Sequence, residues 1–94
     1  MRTPREHELK CWPEFYTALV SGEKTFELRF DDRGFRVGDV LWIREWRRLR
    51  IVDGKAEGEY TGREMRRTVS YLLGGFGLQK DFVCMALGPT TSCG

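Results

Sequence analysis

Residues 22–29 read Gly-Glu-Lys-Thr-Phe-Glu-Leu-Arg, and polar and apolar side chains alternate strictly from Thr25 to Phe30. This alternation predicts a strand with two unlike faces, one carrying Phe26, Leu28 and Phe30 and the other carrying Thr25, Glu27 and Arg29. A fully exposed strand would not need so much aromatic volume, and a fully buried strand would not carry Glu and Arg. We therefore expect the apolar face to build a core and the polar face to line a site. The alternative is an amphipathic strand whose exposed Glu and Arg contribute little.

The length and composition describe a small single domain. The chain has 94 residues, enough for one modest core, and six Phe, three Trp and three Tyr supply its volume. The formal net charge is +2, so no global basic field indicates a nucleic-acid partner. Twelve of the 16 basic residues are Arg, which favours bidentate contacts with phosphates and base edges. Codon bias in a GC-rich genome explains the same excess equally well.

The cysteines and the single histidine do not form a metal-binding pattern. Cys11, Cys84 and Cys93 are widely spaced, and His7 is the only histidine, so we expect no metal and no cofactor. Cys11 and Cys84 lie in apolar strands as small core residues, whereas Cys93 lies in a polar tail. The polar first residues do not resemble a signal peptide, and nothing approaches a membrane span, so we expect a cytoplasmic protein.

Local patterns predict five or six strands and one short helix. The helix begins at Pro13 and ends at Gly22, with Phe15, Ala18 and Leu19 on its buried stripe. Asp53-Gly54 is a strong hairpin signal, so residues 47–57 are predicted to form an extended β-hairpin. The remaining strands are predicted at 7–12, 24–30, 40–46, 63–73 and 82–87, the last apolar on both faces and therefore central. The domain is expected to span 6–88, with flexible tails at 1–5 and 89–94.

Several short motifs resemble a known family. Gly22, Lys24, Glu27 and Arg29 match the Gly-x-Lys-x-x-Glu-x-Arg signature of ASCH domains, a branch of the PUA-like superfamily. Further motifs at 7–10, 12–15, 35–39, 58–64 and 76–78 resemble the DUF3850 family of phages and bacteria, so the resemblance covers nearly the whole chain. It implies a mainly β (α+β) fold, a small PUA-like β-barrel of a class that generally binds RNA or modified nucleosides. The predicted barrel interior contains Phe26, Leu28, Phe30, Leu41, Ile43, Val69 and Tyr71.

The first candidate site is a ligand-binding cleft formed by Lys24, Thr25, Glu27 and Arg29. In a PUA-like barrel this strand flanks a cleft beside the helix, where Glu can accept from an exocyclic amine and Arg can donate to a carbonyl or phosphate. The alternative is an ion pair between Glu27 and Arg29 or Lys24 that only stabilises the barrel.

The second candidate site is a field of arginines and tryptophans on the hairpin and the strands that continue it. If the two strands pair as predicted, their arginines form a basic ribbon with indole rings among them, which is typical of surfaces that bind single-stranded RNA. The candidates are Trp42, Arg44, Trp46, Arg47, Arg48, Arg50, Arg63, Arg66 and Arg67. The alternative is a solvated edge whose arginines pair with Glu45, Glu57, Glu59 and Glu64.

Catalysis is the third possibility. One branch of the ASCH group resembles amidohydrolases that deacylate a modified cytidine, with a Lys-Thr-x-Thr motif in which Lys activates the second Thr. Lys24 matches that motif, but Glu27 stands at the position of the nucleophile, and residues 72–78 lack the carboxylate that those enzymes carry in the segment before the last strand. We therefore expect a non-catalytic module that binds RNA or a modified nucleoside. An amidohydrolase using Lys24 with Thr25 or Glu27, and a phage-encoded protein-interaction module, are the alternatives.

Overall fold

The computed structural model describes residues 3–90 and contains five strands and one helix. The elements in chain order are β1 (Glu6–Cys11), α1 (Pro13–Ser21), β2 (Phe26–Phe30), β3 (Val40–Val52), β4 (Lys55–Gly74) and β5 (Phe82–Thr90). The predicted mainly β fold with one short helix is confirmed. β5 continues through Pro89 and Thr90, which were predicted for the C-terminal tail. Residues 3–5 of the predicted N-terminal tail precede β1 and are exposed, whereas residues 1, 2 and 91–94, with Cys93, lie outside the described residues.

The five strands form one mixed sheet that is not closed into a barrel, so this part of the prediction is wrong. The strand order is β1-β3-β4-β5-β2, with β1 parallel to β3 and every other pair antiparallel. β1 and β2 are therefore the two edges, and side chains bridge the gap between them. Arg29 Nη2 donates to the Lys10 carbonyl at 2.6 Å, and Arg33 Nη1 donates to the Glu8 carbonyl at 2.7 Å. These bonds satisfy two β1 carbonyl groups on the side of the strand that has no neighbouring strand.

The core lies on one face of the sheet and follows the predicted alternation in β1 and β3. His7, Leu9 and Cys11 are buried in turn, as are Leu41 and Ile43. The other buried apolar side chains are Tyr16, Leu19, Phe35, Met65, Val69, Val83, Met85 and Leu87. β5 lies between β4 and β2, which confirms its predicted central position.

The predicted burial of Phe26, Leu28 and Phe30 is wrong. These side chains are 42%, 49% and 53% exposed, whereas Glu27 between them is only 3% exposed. Alternation predicts two faces but does not say which face is buried. Glu27 can be buried because two cations contact its carboxylate, and Phe30 obtains partial cover from Phe82, whose ring centroid lies 5.7 Å away.

Tyr71 is also outside the core, contrary to the prediction, and is 62% exposed. The pairing of β4 with β5 is irregular on both sides of Val69, between Arg67 and Val69 and between Val69 and Tyr71. Such irregularities break the two-residue alternation on which the prediction depends. Leu72 rather than Tyr71 packs against the core.

The helix has the predicted ends but a different buried face. Pro13 occupies the first turn, and Gly22 ends the helix in the left-handed region at φ +85°, with its N–H donating to the Leu19 carbonyl. Tyr16 and Leu19 are buried, whereas Phe15, predicted to be buried, is 49% exposed and stacks on Trp12.

The predicted extended hairpin is confirmed. Asp53 and Gly54 both have positive φ, +51° and +76°, as a two-residue type I′ turn requires. The return strand begins at Lys55, eight residues before the predicted position 63. Every residue from 47 to 64 is exposed, so this hairpin protrudes from the sheet. We call residues 46–60 the arm.

The burial assignments lead to a stability test with matched substitutions. Leu41→Ala should lower the free energy of unfolding by about 2–5 kcal/mol because Leu41 is fully buried. Leu28→Ala should lower it by about 1 kcal/mol or less because half of this side chain is already in solvent. Urea denaturation of both variants measures the difference, and equal losses would contradict the outward orientation of the apolar face of β2.

Candidate functional site

The gap between the edge strands β1 and β2 forms a cleft of about 470 Å³ beside the start of α1. One group of lining residues is apolar, namely Cys11, Trp12, Phe15, Phe26 and Leu28. The other group is charged and consists of Lys10, Lys24, Glu27 and Arg29. The cleft therefore combines flat apolar rings with several charged groups within one small volume.

Glu27 organises the charged part of the cleft. Lys24 Nζ donates to Glu27 Oε1 at 2.6 Å, and Arg29 Nε donates to Glu27 Oε2 at 2.9 Å. Both carboxylate oxygens thus have a cationic partner, while the side chains of Lys24 and Arg29 remain 18% and 29% exposed. The group as a whole carries a net charge of +1, and it is the cations, not the carboxylate, that reach solvent.

Further contacts hold both cations in place. Arg29 also donates to the Lys10 carbonyl, so its guanidinium is fixed from two sides. Lys24 Nζ lies 5.3 Å from the centroid of the Phe15 ring and 5.4 Å from that of Phe26. The two cations are consequently positioned before any ligand arrives, which reduces the entropic cost of binding an anion.

Thr25 is separated from this group. Its side chain is exposed and does not line the cleft, and its carbonyl accepts from the Leu87 N–H at 3.0 Å. Lys24 directs its ammonium to Glu27. This arrangement fits Lys24 as a bound cation better than as a base that activates Thr25.

Cys11 lies in the cleft wall but has a thiol of low reactivity. Burial, reinforced by the negative charge of Glu27, raises the pKa of Cys11 to about 11. The thiol is therefore protonated at neutral pH, whereas the thiolate is the nucleophilic form.

Carboxylates lie opposite three of the seven arginines of the predicted field, and no arginine lies opposite another in the register of β3 with β4. Arg44 pairs across the strands with Glu64, Arg47 with Glu59, and Arg50 with Glu57. The ion pairs in this region are Arg44 with Glu8 and Glu64, Arg47 with Glu59, Arg50 with Glu57, Arg63 with Glu45, and Arg66 with Glu6. Arg67 donates to the Gly88 carbonyl at 2.6 Å. The predicted basic ribbon is thus a ladder of alternating charges.

The two tryptophans of this field are already covered by cations. The guanidinium groups of Arg44 and Arg66 lie 4.8 and 4.9 Å from the centroid of the Trp42 ring, and the Trp42 N–H is buried without a partner among the described residues. Lys10 lies over Trp46, and a Cβ at Gly58 would come within 2.6 Å of the Trp46 ring. The hydrogen bond to Glu8 raises the pKa of Arg44, consistent with a permanently charged, paired guanidinium.

Arg48 differs from its neighbours on the arm. No carboxylate lies within 4 Å of it in the described part of the chain, and its guanidinium is 5.8 Å from the centroid of the Trp12 ring. Trp12 is half exposed and stacks on Phe15 with ring centroids 6.4 Å apart. Trp12 and Phe15 therefore form an accessible stacked pair next to the cations of the cleft, with the exposed Phe26 ring nearby.

Sequence reasoning missed Lys10, Trp12 and Phe15 as site residues. Local patterns place Trp12 at the end of the first predicted strand, directly before Pro13, and Phe15 on the buried stripe of the helix. The spacing of the two aromatic residues was the available signal. Phe15 follows Trp12 by three positions at the start of the helix, and residues with this spacing lie on the same face.

Residues 3–90 contain neither a metal-binding cluster nor a membrane-spanning helix. No cluster of three or more His, Cys, Asp or Glu side chains in this range could hold a metal ion. No helix in this range is long and apolar enough to cross a lipid bilayer.

Comparison with known proteins assigns the family. A family model described as "Domain of unknown function (DUF3850)" matches residues 6–87. The chain belongs to the DUF3850 family. The chain is also 28% identical over 64 residues to the "Uncharacterized 12.9 kDa protein in GpA 3'region" of Escherichia phage P2. That match covers 68% of this chain and 50% of the phage protein, so the chain spans about half the length of this relative.

The geometry of the DUF3850 cleft predicts that Glu27 is important for stability. Glu27→Ala leaves Lys24 and Arg29 uncompensated, and breaking a fully buried ion pair costs about 3–5 kcal/mol. Both cations reach solvent, so we expect a smaller loss, on the order of 2–3 kcal/mol, in the free energy of unfolding. Glu57→Ala is the matched control because its pair with Arg50 is exposed, and it should change stability by about 0.5 kcal/mol or less. Similar losses in both variants, measured by urea denaturation, would contradict the structural role of Glu27.

Proposed function

We propose that this protein is a non-catalytic module that binds a nucleotide, either within RNA or as a modified nucleotide, in the cleft between β1 and β2. The supporting observation is the combination of two fixed, partly exposed cations with two accessible stacked rings. A nucleotide has both complementary parts, an anionic phosphate and a flat base. The cleft volume of about 470 Å³ lies within the range of about 300–1,000 Å³ that is usual for small-molecule sites.

In this proposal the phosphate binds Lys24 and Arg29, with Lys10 nearby, and the base stacks on Trp12 or Phe15. Charge-assisted hydrogen bonds to an anion are stronger than neutral ones, and an arginine can present two donors to one phosphate. Glu27 then acts as a positioning residue, because both of its oxygens are already bonded to the cations. This role differs from the sequence-based expectation that Glu27 accepts a hydrogen bond from the ligand.

The resemblance to ASCH domains supports the same site. Lys24, Glu27 and Arg29 of the signature all line the cleft, and Gly22 ends the helix that leads into β2. The PUA-like class that this signature resembles generally binds RNA or modified nucleosides.

The alternatives have less support from the arrangement of the residues. An amidohydrolase needs a nucleophile beside an activating base, whereas Thr25 is outside the cleft and Lys24 is bonded to Glu27. A phage protein-interaction module would use the arm, whose charges are largely paired within the hairpin. Neither alternative accounts for the cations and rings in the cleft.

The proposal predicts that a phosphate matters more than a base alone. Isothermal titration with cytidine 5′-monophosphate and with cytidine should show at least about tenfold tighter binding of the monophosphate, since a charged hydrogen bond contributes about 1.5–3 kcal/mol. Lys24→Gln should remove most of this advantage. Lys55→Gln removes the same charge at the exposed tip of the arm and should leave it unchanged.

Two results would contradict the proposed function. One is equal affinity for cytidine and its monophosphate. The other is an equal loss of monophosphate affinity in Lys24→Gln and Lys55→Gln, which would indicate a general charge effect. Thermal melting of both variants checks that each remains folded.

A further inference from the structure

A second depression adjoins the cleft. This groove, of about 260 Å³, is lined by Trp12, Pro13, Glu14, Arg47 and Arg48, and we call it the Trp12 groove. Trp12 also lines the cleft, so the same indole borders both depressions. The start of α1 and the base of the arm thus continue the surface on which the proposed nucleotide would stack.

Arg48 is the available cation of this groove. Arg47, which also lines it, is paired with Glu59, and Arg50 farther along the arm is paired with Glu57. Arg48 is exposed, its guanidinium lies 5.8 Å from the centroid of the Trp12 ring, and it forms no ion pair among the described residues. A guanidinium has five N–H donors and no acceptor, so those of Arg48 are free to bind an anion.

We propose that a single-stranded nucleic acid binds across Trp12, with one nucleotide in the cleft and a phosphate of its neighbour on Arg48. This inference rests on the proposed function, because the strand begins at the cleft site. In this arrangement Arg48 of the arm contributes one phosphate contact, and the ion-paired arginines contribute only to the shape of the binding surface. The natural ligand is accordingly a phosphodiester chain and not a free mononucleotide.

The charge of Glu14 provides a second test, because its effect on affinity has opposite signs for anionic and cationic partners. Its carboxylate lines the Trp12 groove and would repel a phosphate there, whereas it would attract a cationic peptide. Removing this charge should therefore strengthen binding of a nucleic acid and weaken binding of a basic protein segment. The two kinds of partner give opposite outcomes from one substitution.

The experiment compares a mononucleotide with a short strand on the full chain. Cytidine 5′-monophosphate and a 5′-phosphorylated tetracytidylate are titrated into wild type, Arg48→Gln, Arg50→Gln and Glu14→Gln at several salt concentrations. We expect the tetranucleotide to bind more tightly than the monophosphate, and Arg48→Gln to reduce tetranucleotide affinity several-fold. The log–log salt slope should lose about 0.7, the value for one phosphate contact on a single strand.

The controls separate this inference from the proposed function. Arg50→Gln should leave tetranucleotide affinity unchanged, Glu14→Gln should raise it, and monophosphate affinity should be the same in all three variants and wild type. A deoxycytidine tetranucleotide tested in parallel distinguishes RNA from DNA as the source of the phosphodiester chain.

Several outcomes would overturn the inference. If the monophosphate binds as proposed but the tetranucleotide gains nothing, or if Arg48→Gln and Arg50→Gln have equal effects, the strand does not cross Trp12. Weaker tetranucleotide binding in Glu14→Gln would also contradict it. If the monophosphate does not bind the cleft, both this inference and the proposed function fail.

Discussion

The buried carboxylate of Glu27, bonded to both Lys24 and Arg29, is the constraint on which the site depends. An uncompensated charge at this position would be strongly unfavourable, so the two cations must stay beside it. Their arrangement turns β2 so that its carboxylate enters the interior and its apolar face lies towards the cleft and solvent. The feature that stabilises the edge strand therefore also places two cations at the mouth of a cavity.

The open gap between the edge strands β1 and β2 follows from the same arrangement. Arg29 extends from Glu27 to the Lys10 carbonyl, and Arg33 reaches the Glu8 carbonyl, so arginine side chains occupy the gap that a barrel would close with backbone pairing. Exposed strand edges invite pairing with other chains, and charged side chains across an edge oppose it. In this protein Arg29 and Arg33 oppose such edge pairing while leaving room for the cleft.

Much of the local structure could be predicted because it depends on neighbouring residues. Pro13 and Gly22 identify the two ends of the helix, Asp53-Gly54 identifies the turn of the arm, and the burial of Leu41 and Ile43 follows from alternation. Each signal acts within a few positions along the chain.

The rest depended on information that a local pattern does not contain. Alternation around Glu27 is compatible with either face being buried, and the choice depends on cations brought in by the fold. Irregular pairing of β4 beside Val69 placed Tyr71 in solvent. Trp12 and Lys10 join the site because β1 and β2 are the two edges of one sheet, although they lie ten and twelve positions before the start of the signature.

A crystal structure of the protein with cytidine 5′-monophosphate would show directly whether the cations of the cleft bind a phosphate. We expect a phosphate within hydrogen-bond distance of Lys24 Nζ and the Arg29 guanidinium, a base against Trp12 or Phe15, and Glu27 still bonded to both cations. A ligand bound elsewhere, or one that displaces Arg29 and itself donates a hydrogen bond to the Glu27 carboxylate, would contradict the proposed binding mode.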